Sequence, residues 1–225
     1  MKRMSLVFFI LLISGSIFAL EVDVDEIKKA KKVKFVNYKG RYKTRTSVRE
    51  IKAIGRILAR KTRRANKRYR YRMKYSIIHA VSKKQPKKLS GDIFIIDRNA
   101  KVGHIKNVRR IISGYLESRY KYSTRHAKVL SFFITYYNAV YRGDLKYFSK
   151  LYKSVVMRNL NRKNAGISTK YYNWPGKTRI VIPLTKDFKR GKIDTIDPDI
   201  ISDKKVIKVI RKDERHIKKR KTSFS

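Results

Sequence analysis

Cysteine is absent from these 225 residues. That excludes disulfides, thiolate metal sites and cysteine nucleophiles, and it removes the acylated cysteine that tethers a bacterial lipoprotein. Carboxylates are scarce: 16 Asp and Glu stand against 60 Lys and Arg, a formal net charge of +44. Self-repulsion on that scale opposes compaction unless counterions or a polyanion offset it. The shortage is most acute over residues 28–88, where 25 cations accompany a single carboxylate, Glu50. Only four prolines and ten glycines interrupt the chain, and there is no internal repeat or heptad pattern. Hydrophobic residues make up 42%, enough for a real core, so wholesale disorder is excluded.

The one long apolar run lies at the start. Lys2 and Arg3 precede Leu6–Ile13, and Ser14-Gly15-Ser16 leads to Ile17-Phe18-Ala19. A basic opening, a short apolar stretch and a small residue at the break predict a secretory signal peptide over residues 1–19, cleaved after Ala19. Its rivals are an uncleaved anchor, for which the stretch is short against the ~20 residues of a span, and a buried amino-terminal helix. Residues 20–185 are expected to form one domain and 186–225 a basic tail.

Periodicity predicts an α+β fold, with about three central helices and roughly four short strands. Lys34–Tyr38 alternates like a strand. Ser47 with Glu50 makes a capping box for a helix reaching about Arg60, after which Lys61–Arg70 reads as an exposed loop. Tyr71–Val81 alternates as one strand, Lys83–Ser90 is a linker, and Asp92–Ile96 is a buried strand. Ile105–Leu116 is amphipathic, and Thr124 caps a second helix whose Val129–Val140 stretch has little polar face. Gly143 and Asp144 then stop one helix and cap a third, running through Val156. Thr178–Ile182 is a strand with Pro183 at an edge, and Val206–Ile210 a weak helix.

Several blocks resemble the amino-terminal domain of the Borrelia 83/100-kilodalton antigen family. They are Phe35–Gly40, Ile54-Gly55 with Leu58–Arg60, Asp92–Phe94, Asn107–Leu116, Tyr137–Leu145, Lys163–Gly166, Trp174, and Gly176–Thr178 running into Ile182–Leu184. The resemblance implies an exported, non-enzymatic envelope antigen of the periplasm or outer membrane, with a structural or host-interaction role. It carries over no catalytic residues. Two departures stand out: the family continues into a long Glu/Lys-rich, coiled-coil-like region beyond this domain, and its amino-terminal part is less basic.

The residues themselves offer few catalytic constellations. Gly176-Lys177-Thr178 fails as a phosphate loop because Tyr171 stands where a glycine is needed and a strand follows. His79, His104, His126 and His216 are scattered, so neither metal nor cofactor is expected. Asp92 and Asp97 bracket a strand: Asp92 reads as a turn residue, and Asp97 or Asn99 as a cap for the following helix; Asp144 reads as a cap, and Ser113 and Ser118 lack triad partners. No small-molecule substrate is implied. The remaining feature is cationic: nine Lys/Arg occupy residues 60–74. Such a run is ordinarily a solvated face. Here the excess is uncompensated, so Arg63, Arg64, Lys67, Arg68, Arg70 and Arg72, with Lys218, Lys219, Arg220 and Lys221, are the candidate polyanion-binding residues. Tyr69 and Tyr71, interleaved with arginines, raise base stacking. Export points instead to anionic lipid headgroups, glycosaminoglycans or host proteins as partners, with no dedicated nucleic acid.

Overall fold

The computed structural model describes residues 47–185 and 196–212, so the predicted signal peptide, the Lys34–Tyr38 strand and Lys218–Lys221 lie outside the described residues. Helix α1 (Val48–Lys61) starts where the capping box predicts: the Glu50 amide donates to Ser47 Oγ, and the Ser47 amide donates to the Glu50 carboxylate at 2.7 Å. That pair of bonds satisfies two amides at a helix start and holds the Glu50 carboxyl below its ordinary range. Strands β1 (Arg68–Tyr71), β2 (Tyr75–Ala80), β3 (Ser90–Ile96) and β4 (Thr178–Leu184) form one antiparallel sheet in the order β1-β2-β3-β4. Helices α2 (Ile105–Tyr120), α3 (Thr124–Val140), α4 (Leu145–Leu151) and α5 (Ser154–Met157) fall between β3 and β4. After β4 come α6 (Pro198–Ile201) and a further helix, α7, over 204–212. The class is α+β, as predicted.

Helices α1 and α2 cross at contact distance because neither has a side chain at the crossing. A Cβ on Gly55 would collide with the Ile111 carbonyl, and one on Gly114 with that of Lys52. Lys52 Nζ, 2.5 Å from Glu117, ties the same pair at its flank. Helix α3 is buried on nearly every side, from Ala127 to Ala139, which accounts for its thin polar face. Arg109 of α2 lies over Phe132 and Tyr136 of α3 and donates to Thr135 Oγ1 at 2.9 Å.

Four expectations need correction. The alternating stretch Tyr71–Val81 is a hairpin, not one strand: Arg72 and Met73 both take positive φ, and Lys74 N–H closes the turn on the Tyr71 carbonyl. Strand β1 therefore begins inside the stretch read as a loop. The third helix breaks between α4 and α5, where Tyr152 is extended and the backbone pairs with Leu89 instead. Lys153, nearly inaccessible, donates Nζ to the Ser82 carbonyl at 2.6 Å, and burial lowers its pKa. Third, α2 is capped by His104 and α3 by Ser123, one residue before Thr124; Asp97 does not cap the following helix. Fourth, Asp92 lies within a strand and not at a turn. Beyond β4, Ile196, Ile201, Val206 and Ile210 join the same core, and Asp203 caps α7 while accepting from Tyr141 at 2.5 Å.

Candidate functional site

The cationic run is pinned into shape by its non-cationic members. Thr62 ends α1, its hydroxyl donating to the Leu58 carbonyl at 2.8 Å. The Tyr69 hydroxyl accepts from the Arg64 amide at 2.7 Å and donates to the Arg64 carbonyl at 3.1 Å. Asn66, at positive φ, donates its amide to the His79 carbonyl and its side chain to that of Val81. Residues 63–67 are thus fastened to β1 and β2 by backbone and neutral groups, leaving their cations outward.

Arg63, Arg64, Lys67, Arg70 and Arg72 are exposed and pair with no carboxylate among the described residues. Arg72 lies over the Tyr71 ring at 5.5 Å, and Arg70 reaches only the Met73 sulfur. Arg68 differs from its neighbours: it pairs with Asp97 and donates Nε to Ser76 Oγ at 2.9 Å. Its charge is offset by Asp97, unlike the charges of its neighbours. Tyr69 and Tyr71 are half-buried and pack against the core on the opposite side of β1. Elsewhere a basic cleft of about 660 Å³ is lined by Arg142, Lys146, Arg162 and Lys163 with Asp144. The Asp144 carboxylate there is engaged by the Tyr147 amide as an N-cap.

The most polar place in the interior escaped sequence reasoning. His79 on β2 and Asp92 on β3 are register partners, and His79 Nδ1 lies 2.6 Å from Asp92 Oδ1. Tyr115 and Tyr120 of α2 donate to Asp92 Oδ2 at 2.7 and 2.5 Å. Burial pushes both tyrosines well above their ordinary pKa of 10, and the Asp92 charge pushes further. The pairing of His79 with Asp92 was not anticipated from the sequence. A signal existed: by alternation His79 shares the inward face of Tyr75 and Ile77, and an inward histidine needs a partner. The centre is closed, however. Asp92 has no accessible surface and three groups fill its oxygens, so it reads as a structural polar network. No group of three or more His, Asp or Glu able to hold a metal occurs among the described residues, and no described helix is long and apolar enough to cross a membrane.

No curated protein and no solved structure matches the chain. The family model described as Borrelia P83/100 protein matches residues 22–223, which takes in both the sheet with its helices and the basic hairpin. With nearly the whole length covered, the chain belongs to the Borrelia P83/100 protein family, a family of Borrelia antigens.

Proposed function

We propose that this protein is an exported, non-enzymatic envelope component that adheres to polyanions, such as anionic lipid headgroups or glycosaminoglycans, through the hairpin side of its sheet. The observation that carries the reading is the set Arg63, Arg64, Lys67, Arg70 and Arg72, held outward on a fastened loop and edge strand and paired with no carboxylate among the described residues. Fixed cations lose less conformational entropy on meeting an anionic surface than cations on a loose loop. The buried His79–Asp92 pair supports the non-catalytic side of the reading, because its polar atoms are occupied and enclosed. The predicted signal peptide over residues 1–19 supports export.

The test is binding to heparin and to phosphatidylserine vesicles across a salt series. Each Lys or Arg close to an anionic bilayer contributes about 1 kcal/mol. The combined Arg63→Ala, Arg64→Ala and Lys67→Ala variant should therefore bind on the order of 10²-fold more weakly at low salt. Unchanged retention on both matrices would overturn the hairpin site.

A further inference from the structure

The turn between β1 and β2 is built from unusual residues. Arg72 and Met73 both hold positive φ, a pairing for which Asn-Gly is the favoured sequence. Side chains kept in that region against local preference point to use. Met73 is 55% exposed. The register Tyr71–Tyr75, Tyr75–Ile96 and Ile96–Thr178 brings the turn, the exit of β3 and the entry of β4 to one end of the sheet. There Asp97 N–H donates to the Lys74 carbonyl at 3.0 Å, and Gly176 N–H to that of Ile96 at 2.9 Å. Tyr172, 60% exposed, lies on the loop that feeds β4, with Lys170 Nζ 5.9 Å from its ring centroid. Two of the three well-exposed large apolar side chains among the described residues thus share this end of the sheet. Arg70, Arg72, Lys74, Arg98 and Lys177 border the same end, all exposed and paired with no carboxylate among the described residues. Asp97, at the exit of β3, is held by Arg68 and Ser76.

We propose that this end of the sheet docks on an anionic lipid bilayer, with Met73 and Tyr172 entering the headgroup layer and the bordering cations gripping headgroups beside them. The inference rests on the adhesion reading for an anionic surface and names that surface as a bilayer. The apolar groups make the choice. A sulfated polysaccharide offers charge but no apolar layer, so it gains nothing from Met73. A bilayer offers both, and interfacial binding grows with the apolar area buried as well as with charge. Tyrosine suits the boundary, where its ring meets acyl chains and its hydroxyl meets water. The arginine stems lie along the apolar layer while their heads stay among phosphates. This end of the sheet spans three strand spacings, about 14 Å, a width over which one flat surface meets both side chains.

The experiment uses the chain beginning at Leu20, so that the apolar run Leu6–Ile13 does not itself enter lipid. The double variant Met73→Ser with Tyr172→Ser should bind phosphatidylserine vesicles about tenfold more weakly and heparin as tightly as the parent. Equal losses on both matrices, or none on either, would overturn the proposal. Because the chain has no cysteine, a single fluorophore can be placed at Met73→Cys and, as a control, at Lys84→Cys on the exposed β2–β3 linker at the opposite end of the sheet. On vesicles the Met73 label should shift to the blue and be quenched by nitroxide-bearing lipid, and the Lys84 label should do neither. A Met73 label that stays unchanged, or two labels that respond alike, would also overturn the proposal. Parent protein that is retained by both matrices with an unmoved Met73 label sinks the docking end alone. Parent protein retained by neither sinks the adhesion reading, and this inference with it.

Discussion

The two margins of the sheet handle the same chemical problem differently. Along β4 the outward backbone groups are met one after another. The Arg179 amide donates to the Asn164 carbonyl, and the Arg179 carbonyl accepts from Gly166. Val181 exchanges two bonds with the Asn138 side chain, whose Oδ1 accepts at 2.7 Å and whose Nδ2 donates at 2.8 Å. Pro183 has no amide to satisfy, and its carbonyl accepts from Asp197. The Asn138 amide thus stands in for a strand residue, projected from α3. Along β1 the cover among the described residues is one lysine, and the guard is positive charge. The difference teaches that one margin is closed by side chains and loops of the core, whereas the other is guarded against stray strand pairing by charge.

The largest effect is expected midway between the margins. Asp92→Ala leaves His79, Tyr115 and Tyr120 without their acceptor and should cost about 3–5 kcal/mol in urea unfolding. A loss below about 1 kcal/mol would mean the three groups satisfy one another, and both margins would then hang on apolar packing alone. Next comes Asn138→Ala, which strands the amide and carbonyl of Val181 and should cost about 2–4 kcal/mol. Its counterpart Arg70→Ala should stay within about 0.5 kcal/mol of the parent. If the two variants cost the same, the contrast between the margins is broken.

The smallest effect is a pH dependence. Burial pushes Tyr115, Tyr120, Tyr137 and Tyr152 well above 10 in the folded protein. An acid whose folded pKa is raised contributes stability that is complete below its unfolded pKa and lost as pH rises through the folded one. Stability should therefore decline above about pH 10, with phenolate absorbance from these four residues appearing together with loss of helix. Phenolate absorbance at full strength in the folded protein would place the four rings in contact with solvent.

Elements with local signatures were legible. Ser47 and Glu50 announced α1 because a capping box is written within four residues, and the apolar stretch of α3 announced its own burial. Asp144 was legible as a cap for the same reason. The hairpin was not, because the positive-φ positions are held by Arg72 and Met73, where glycine or asparagine is the usual marker. The break at Tyr152–Lys153 depends on Leu89, more than sixty residues away, and no local pattern reports it. The polar centre needed the β2–β3 register to bring His79 to Asp92. At the candidate site the cationic residues were legible by composition. That Arg68 is neutralised while its neighbours are not depends on Asp97 arriving from the end of β3.

The open margin has a consequence for how copies of this protein coexist. Two molecules approaching margin to margin present like charges at a few ångströms, a repulsion that acts as a gatekeeper against sheet-to-sheet growth. At physiological ionic strength that repulsion reaches only about 8 Å, and a polyanion that neutralises the arginines abolishes it. On an anionic surface of the kind proposed above, crowding would lower that barrier where the local concentration is highest.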